Sequence, residues 1–306
     1  MSRVLVVGAG VVGSATGKGF ALHGHDVTFC DISPARVDQL RTEGWSASTT
    51  VDLAGPPAFV FLVVPTPACD RRYDLRAVRA AVLAVGDALR EASEFHTVVM
   101  RSTVPPGTCD SVVVPLLEEI SGQRAGEHFA VASNPEFLRA ASAQEDFLHP
   151  WMTVIGARSQ RTIERLLELY RPLGGEFRVF PTPVEAELVK CAHNLFNAAK
   201  ISFWNELWQV ARQLGVDCDP IAATVARSAE GSFNPDYGTR GGRPFLGACL
   251  PKDTEGFLGF ATDLGLPMPL LASVIEVNLG LLAASNGASH SGAVSDVSDE
   301  LLDLHR

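Results

Sequence analysis

Short apolar runs alternate with segments of helical periodicity along the first half of the chain. The valine-rich runs predict strands at 3–8, 26–31, 58–64, 97–101, 128–132, 152–156 and 177–180. Between them, apolar residues that recur every three or four positions predict helices near 11–23, 34–43, 74–91, 106–120 and 158–170. Strand–helix alternation of this kind indicates a mostly parallel sheet that is covered by helices on both faces.

A single long helix follows the last predicted strand. Apolar residues recur at three- and four-residue steps from Pro183 to Leu214, which predicts about nine helical turns. The proline suits a first helical turn, and Gly215 supplies the stop. The apolar stripe includes Trp204 and Trp208 and has more surface than one small domain covers, so we expect a homodimer through this helix.

These patterns divide the chain into two domains and a tail. The predicted α/β sheet domain spans 1–180, and an all-helical central domain spans 181–284 and ends with helices near 251–264 and 268–284. The Gly/Pro-rich stretch 228–250 is too long for a plain connection, so we expect it to carry function. The polar tail 285–306 is expected to be disordered, with at most a short turn at Asp299–Leu304.

Composition narrows the range of partners. The 306 residues are 46% hydrophobic, and 25 Lys+Arg against 35 Asp+Glu give a net charge of -10. This balance argues against nucleic acid or an anionic membrane as a partner. Six scattered cysteines without a CxxC pair predict reduced, mostly buried thiols and give no zinc signature. With no apolar run of membrane length and no signal peptide, we expect a cytoplasmic protein.

A strand, a glycine-rich turn and a helix open the chain. In this G-x-G-x-x-G pattern, Gly8 permits the tight turn, Gly10 lets a pyrophosphate approach the backbone, and Gly13 lets the helix pack closely on the strand. The helix N-terminus at Val11 and Val12 supplies free amides for phosphates. The pattern predicts a Rossmann-type, doubly wound sheet that binds a dinucleotide.

The end of the second predicted strand indicates which dinucleotide. Asp31 lies at the distance where an acid accepts hydrogen bonds from the adenosine ribose, and its charge would repel the 2′-phosphate of NADP. NAD is therefore the predicted cofactor. Arg36 qualifies this preference, because a guanidinium near the ribose would tolerate a phosphate. The alternative for Asp31 is a simple helix cap before Pro34.

Candidate chemistry lies in the second half of the chain. Cys249 stands just before a predicted helix with Lys252 three residues on, and both features favour a nucleophilic thiolate. Lys190 and Asn194 are four residues apart on the long helix, hence on one face, where they can polarise an alcohol or carbonyl oxygen. The alternatives are a small buried cysteine and a solvated lysine.

Several motifs, in the right order, resemble the UDP-glucose/GDP-mannose dehydrogenase family from residue 3 to about 282. The motifs are Gly8–Gly13, Val64–Pro67, Ser102–Thr108, Ser133–Arg139, Glu185–Asn194, Lys200–Glu206 and Cys249–Asp253. That family oxidises the primary alcohol of a sugar nucleotide to a carboxylate and uses two NAD per turnover. The resemblance therefore implies a sugar nucleotide, or a smaller phosphorylated sugar or nucleoside, as the substrate.

The resemblance also implies roles for individual residues. Cys249 would attack the aldehyde formed by the first oxidation, and the resulting thiohemiacetal would be oxidised to a thioester. Lys190 and Asn194 would stabilise developing oxyanions, while Asp253 and Glu136 would move protons and Thr103 would help to place the hydrolytic water. Pro65, Thr66 and Thr103 join the glycine-rich turn as predicted cofactor contacts. The predicted substrate contacts are Phe137, Leu138, Arg139, Lys190, Asn194, Arg243, Phe245 and Gly247.

The sequence departs from the family pattern in three places. Family members usually continue into another nucleotide-binding domain, whereas a polar tail follows the helical domain here. Ala140 stands where the family has a second glutamate, and Leu246-Gly247-Ala248 replaces Gly-Gly-Ser before the cysteine. The family's Arg-Ile-Gly segment is not evident, although Arg240 or Arg243 would supply a phosphate contact. The alternatives are a two-electron alcohol or hydroxyacid dehydrogenase and a catalytically silent NAD-binding partner protein.

Overall fold

The computed structural model describes residues 1–288 except Glu230, Gly231, Phe233, Asp236, Arg240 and Ala248. The predicted tail from 289 on, its short turn and the candidate phosphate contact Arg240 lie outside the described residues. The packing divides the chain into two compact units, residues 1–194 and residues from 195 on. The division falls within the long helix, further along the chain than the domain limit that the sequence predicts.

A mixed sheet forms the centre of the first unit. Its strands are β1 Arg3–Val7, β2 Asp26–Cys30, β3 Ser46–Ser48, β4 Ala58–Leu62, β7 His96–Met100, β8 Phe129–Ser133, β9 Met152–Ala157 and β10 Glu176–Phe180. The strand order is β10-β9-β8-β7-β4-β1-β2-β3, and all neighbouring pairs are parallel except the antiparallel pair β8 and β9. A separate two-stranded antiparallel hairpin is formed by β5 Ala68–Cys69 and β6 Arg72–Tyr73. This confirms the predicted Rossmann-type, mostly parallel sheet.

Helices cover the sheet and continue into the second unit. They are α1 Val11–Leu22, α2 Pro34–Thr42, α3 Arg76–Arg90, α4 Val114–Ser121, α5 Ala143–Leu148, α6 Gln160–Tyr170, α7 Pro183–Gln213, α8 Cys218–Ser228, α9 Leu250–Asp263 and α10 Pro269–Ala288. The predicted helix at 106–120 begins with a π-helical segment, Cys109–Val113, that leads into α4. The sequence patterns did not predict β3, the β5–β6 hairpin, α5 or α8.

The sheet has an apolar core on each face. One core contains a cluster of aromatic rings, in which Phe20 lies 5.1 Å from Phe147 and 5.1 Å from Tyr170 between ring centroids. The other contains aliphatic side chains such as Leu62 and Val82. All five residues of β4 and of β7 are buried, which is typical of central strands in a sheet that is covered on both faces.

The second unit is helical. Its small core contains Val210 from α7, Ala261 from α9 and Met268 before α10. Helix α10 continues to Ala288, so the expectation that the chain is disordered from Ser285 on was wrong for the first residues of that segment. The hydroxyl of Ser285 donates a hydrogen bond to the Leu281 carbonyl (2.9 Å), which is compatible with continued helix.

Within the described residues, no helix combines the length and the apolar character that a membrane span requires. The thiols predicted to be mostly buried divide: Cys30, Cys109 and Cys218 are buried, whereas Cys69 and Cys249 are exposed.

Candidate active site

The glycine-rich turn after β1 has the geometry of a phosphate-binding turn. Gly8 has a φ of +96°, and a Cβ at Gly13 would lie 1.9 Å from the Gly8 carbonyl oxygen, so neither position accepts a larger residue. A Cβ at Gly10 would meet nothing within 4 Å, which leaves open space in front of the backbone there. No side chain among the described residues caps α1, so the amides of Val11 and Val12 stay available for an anion.

Asp31 and Arg36 both contact this turn. The Asp31 carboxylate accepts hydrogen bonds from the amides of Ala9 (2.8 Å) and Ser33 (2.9 Å). The N-cap of α2 is Ser33, whose hydroxyl accepts the Arg36 amide, so the alternative of a helix cap at Asp31 is wrong. Each carboxylate oxygen retains acceptor capacity for ribose hydroxyls. Arg36 donates to the Ala9 carbonyl (2.9 Å) and to Ser14 Oγ (2.7 Å), which fixes its guanidinium against the turn. These residues fit the adenosine half of NAD.

The loops that follow β4 and β7 are joined by hydroxyl groups. Ser102 Oγ donates to the Val64 carbonyl (2.7 Å) and accepts from the Val64 amide (2.9 Å). Thr66 Oγ1 donates to the Thr103 carbonyl (2.6 Å), and Pro65 between these contacts is exposed. The structure therefore brings the predicted cofactor contacts Thr66 and Thr103 together at the carboxyl edge of the sheet, where open α/β sheets bind ligands.

Lys190 and Glu136 form an ion pair in the first unit. Lys190 is only 6% exposed, and its Nζ lies 3.3 Å from Glu136 Oε1 and 5.2 Å from the centre of the Phe137 ring. The second carboxylate oxygen of Glu136 accepts the amide of Leu138 (2.6 Å). The alternative of a solvated lysine is wrong, because Lys190 is buried. An ammonium with one carboxylate partner still has N–H donors for an oxygen of a ligand.

Glu187 fixes the first turns of α7, from which Lys190 projects. Its carboxylate is buried and accepts the amides of Gly107 (2.5 Å) and Cys109 (2.9 Å). Burial raises the pKa of Glu187, although these hydrogen bonds act in the opposite direction. The same burial, with Glu187 beside it, raises the pKa of the Cys109 thiol well above its usual range, so Cys109 is not a nucleophile candidate.

Aromatic side chains surround the ion pair. The His193 ring lies 4.9 Å from Phe137 in an edge-on arrangement and 6.0 Å from Trp151 in a stacked one, and Trp151 is 57% exposed. Burial lowers the pKa of His193, and the charge of Lys190 lowers it further. Asn194, one turn after Lys190, is exposed, so the two share a helix side but differ in burial.

Arg139 differs from the other predicted substrate contacts. Its guanidinium forms a two-pronged ion pair with Asp146 (2.6 Å and 3.1 Å), and its amide also donates to that carboxylate. The Arg139 hydrogen bonds hold the pKa of Asp146 well below its usual range. The structure thus shows Arg139 bracing the start of α5, while Leu138 contributes its amide to Glu136.

Cys249 occupies the N-cap position of α9 in the second unit. The Cys249 side chain is exposed, and the Cys249 carbonyl accepts the amide of Asp253 (2.8 Å). The ammonium of Lys252 contacts the Asp253 carboxylate (2.8 Å), so its charge is shared with an acid. The bland alternative of a buried Cys249 is wrong. Among the described residues, no group of three or more His, Cys, Asp or Glu side chains is arranged to hold a metal ion.

The side chain of Asn278 anchors the segment before Cys249. Asn278 of α10 is buried and accepts the amide of Phe245 (2.7 Å) while donating to the Phe245 carbonyl (3.2 Å). Arg243 and Gly247 on either side of Phe245 are exposed. Asn278 was not among the predicted site residues, although an amide in the middle of an apolar helix is a signal of a buried polar contact.

The sequence analysis also missed Arg101 as a structural feature of the site. Its guanidinium is 4% exposed and donates to Thr16 Oγ1 (2.9 Å), Asn134 Oδ1 (2.7 Å) and the Tyr170 hydroxyl (3.1 Å). Asn134 opens the segment that carries Glu136. A charged residue directly after the apolar run 98–100 was the available signal.

Two domain profiles of one family match the chain. The NAD binding domain of the UDP-glucose/GDP-mannose dehydrogenase family matches residues 2–50 and 45–174, and the central domain of that family matches residues 184–279. Together these matches include the glycine-rich turn, the Lys190–Glu136 pair and Cys249.

Individual relatives agree with the profiles. GDP-mannose 6-dehydrogenase of Pseudomonas aeruginosa is 34% identical over 299 residues, which cover 90% of this chain and 68% of that protein. UDP-glucose 6-dehydrogenase of Haloferax volcanii is 35% identical over 306 residues, which cover 90% and 69%. The crystal structure of the GDP-mannose dehydrogenase ternary complex from Pseudomonas aeruginosa superposes with a TM-score of 0.88 at 32% identity, covering 95% of this chain and 72% of that one.

Proposed function

The chain belongs to the UDP-glucose/GDP-mannose dehydrogenase family, and from that premise we propose that it oxidises the primary alcohol of a sugar nucleotide to a carboxylate through a covalent adduct on Cys249. The family is one of NAD-dependent oxidoreductases that act on CH–OH groups, so the cofactor and the reaction type follow from membership. The observation that carries the proposal is the buried Lys190–Glu136 pair in the NAD-binding unit.

In the proposed first oxidation, the substrate hydroxyl loses its proton to Glu136 while the ammonium of Lys190 and the amide of Asn194 stabilise the oxyanion. NAD bound at the glycine-rich turn supplies the acceptor for the hydride. The printed names of the relatives, GDP-mannose and UDP-glucose 6-dehydrogenase, support a hexose linked to a nucleoside diphosphate as the substrate.

In the proposed second oxidation, the Cys249 thiolate adds to the aldehyde carbon and forms a thiohemiacetal. The adduct would become a thioester by giving its hydride to a second NAD, bound after the first NADH has left, and its hydroxyl proton to a carboxylate of the site. Attack by water then releases the carboxylate and regenerates the thiolate. Asp253 and Glu136 exchange the protons, and Thr103 helps to place the water. The exposed position of Cys249 at the N-cap of α9 supports this role, because the thiol is accessible to a substrate there.

We also propose that α7 mediates a homodimer. Its exposed apolar side chains along the second unit are Leu195, Phe196, Ile201, Phe203 and Trp208. A second copy that packs along this part of α7 would remove these apolar side chains from water. Light scattering above micromolar concentration should give the mass of a dimer, and a monomer mass would contradict this part of the proposal.

The stoichiometry of NADH tests the reaction. The purified protein is given NAD and one of a panel of UDP- and GDP-hexoses in limiting amount, and NADH is followed by absorbance. We expect about two NADH per substrate consumed, because the thioester route couples both oxidations. In Cys249→Ala we expect at most one NADH per substrate, at a rate reduced by about 10³-fold or more.

Cys69→Ala is the matched control, because Cys69 is also exposed but lies in the β5–β6 hairpin. It should retain the wild-type stoichiometry. One NADH per substrate in the wild type would instead indicate an enzyme that stops at the aldehyde. Normal NAD binding with no turnover of any panel member would favour a catalytically silent NAD-binding protein.

A further inference from the structure

Arg101 is a buried cation whose partners are all uncharged in the described part of the chain. It follows β7 directly, and its guanidinium donates to Thr16 Oγ1, Asn134 Oδ1 and the Tyr170 hydroxyl. The Phe147 ring lies 5.4 Å away on one side. Burying a guanidinium without a carboxylate has a large desolvation cost, so a role limited to filling space would favour an apolar residue.

The partners of Arg101 belong to elements with different tasks. Thr16 lies in α1, the helix that begins directly after the glycine-rich turn, and its hydroxyl donates a hydrogen bond to the Val12 carbonyl (2.8 Å). Tyr170 closes α6, where burial raises the pKa of its hydroxyl to about 12 and keeps it a hydrogen-bond donor. The Tyr170 hydroxyl donates to the same Asn134 oxygen that Arg101 contacts.

Hydrogen bonds consequently fix both the backbone amide and the side chain of Asn134. Its amide donates to the Met100 carbonyl (2.8 Å), its side-chain Nδ2 donates to the Val154 carbonyl (2.7 Å), and its Oδ1 accepts from both Arg101 and Tyr170. Only Pro135 separates Asn134 from Glu136, the partner of Lys190. A rotation or shift at Asn134 is therefore transmitted to the Glu136 carboxylate with little room for compensation.

We propose that Arg101 is a positioning residue that fixes the segment carrying Glu136 relative to the cofactor-binding helix α1. The guanidinium of Arg101 contacts Asn134 on one side and Thr16 on the other. Thr103 follows Arg101 by two residues in the sequence. This inference rests on the proposed function, in which the Lys190–Glu136 pair acts on the substrate. The geometric part of the inference does not depend on which substrate is bound. Without the Arg101 guanidinium, the Lys190–Glu136 pair loses its alignment.

Arg101→Met tests the proposal, because methionine keeps most of the side-chain length and removes every donor. The substitution removes the desolvation cost of the guanidinium, and Thr16 and Tyr170 keep their hydrogen bonds to the Val12 carbonyl and to Asn134, so we expect the variant to fold. We expect kcat to fall about 10²-fold while KM for NAD changes by less than about threefold, since a displacement near 1 Å has an effect of this size. Arg101→Lys should recover part of kcat, because an ammonium reaches Asn134 or Thr16 but does not bridge them as a fork.

Arg165→Met is the matched control. Arg165 is a half-buried arginine of α6 whose guanidinium lies 5.1 Å from the Phe59 ring, and it contacts neither Asn134 nor Glu136. It should leave kcat within about threefold of the wild type. A similar loss of kcat in both variants would show a general effect on the domain and would overturn the proposal. So would an Arg101→Met enzyme with wild-type kcat.

A crystal structure of the variant separates this inference from the proposed function. We expect the distance between Lys190 Nζ and Glu136 Oε1, 3.3 Å in the wild type, to lengthen in Arg101→Met and to persist in Arg165→Met. An unchanged distance contradicts the positioning role whether or not the wild type oxidises a sugar nucleotide. If Arg101→Met fails to fold, the same measurements are made on Arg101→Lys. An unchanged Lys190–Glu136 distance together with an unchanged kcat in that variant would contradict the proposal.

Discussion

The glycine-rich turn after β1 and the segment before Cys249 are held in place in two different ways. At the turn, Gly8 and Gly13 are fixed by close contacts that exclude any side chain, and Asp31 and Arg36 brace the loop from β2 and α2. The segment before Cys249 is mostly exposed and is held through Asn278. Cofactor recognition is thus built into the packing of the sheet, whereas the segment that presents the nucleophile is anchored by the side-chain amide of Asn278.

Substitution at Gly13 should have the largest effect. Gly13→Ala places a Cβ 1.9 Å from the Gly8 carbonyl oxygen, and the backbone must move to accept it. We expect a loss of about 3 kcal/mol in the free energy of unfolding, or a Tm lower by roughly 10 °C. Thermal unfolding measured by circular dichroism checks this.

Gly10→Ala is the matched control, because a Cβ at Gly10 meets nothing within 4 Å. We expect its Tm in the absence of NAD to stay close to that of the wild type, while stabilisation by added NAD is reduced because the methyl group occupies the pyrophosphate approach. Equal Tm values for Gly13→Ala and Gly10→Ala without NAD would contradict this account of the turn, because close packing at Gly13 would then not be what fixes its backbone.

Acidification should weaken the sheet unit through His96. This side chain is fully buried at the start of β7, its Nδ1 accepts the Ala58 amide (3.1 Å), and its Nε2 has no partner in the described part of the chain. Burial, with the charges of Arg3 and Arg165, lowers its pKa from 6.5 to about 4. Because the unfolded chain binds the proton more readily, stability is present above pH 6.5 and is lost as the pH falls from 6.5 towards 4.

We expect this loss to be on the order of 2 kcal/mol, measured as the change in unfolding free energy by denaturant titration at several pH values. His96→Gln keeps an acceptor for the Ala58 amide but does not titrate, so its stability should vary less over the same range. Parallel pH profiles for the wild type and His96→Gln would rule out His96 as the origin of the dependence.

Asn278→Leu should have the smallest effect on stability but a selective effect on turnover. The substitution leaves the amide and carbonyl of Phe245 without their partner and releases the segment before Cys249. We expect kcat to fall about tenfold with KM for NAD unchanged, because the released segment no longer holds Cys249 in a fixed position for attack. Steady-state kinetics measure both parameters.

Val277→Ala controls for changes to α10 itself, since Val277 is the exposed neighbour of Asn278. It should behave as the wild type. If Asn278→Leu retains wild-type kcat, the Asn278 amide does not hold the segment before Cys249 in place for catalysis. The proposed difference between this segment and the glycine-rich turn would then be wrong.

The sequence predicted the sheet closely because its signals are local. Valine-rich strands, the glycine-rich turn and Asp31 at the end of β2 are each recognisable within a few residues. The hairpin at Ala68–Tyr73 was missed because its strands contain two residues each and its turn, with positive φ at Asp70 and Arg71, lacks the glycine that usually marks one.

The contacts of the site were harder to predict because they join distant segments. Arg101 and Thr16 are 85 residues apart, and Phe245 and Asn278 are 33 apart, so no short motif contains either pair. The roles of Glu136 and Thr103 came from the family resemblance, and only the folded chain shows that Glu136 meets Lys190 and that Thr103 meets Thr66. The tail boundary was wrong because helix α10 continues through serine and glycine, which are weak helix formers.

The covalent intermediate is the most direct test of the account. The enzyme is mixed with NAD and a nucleotide sugar, quenched in acid within one turnover, and analysed by intact-protein and peptide mass spectrometry. The account predicts an acyl adduct on the peptide that contains Cys249, present in the wild type and in Cys69→Ala and absent in Cys249→Ala. Formation of the carboxylate product without any adduct on Cys249 would contradict it.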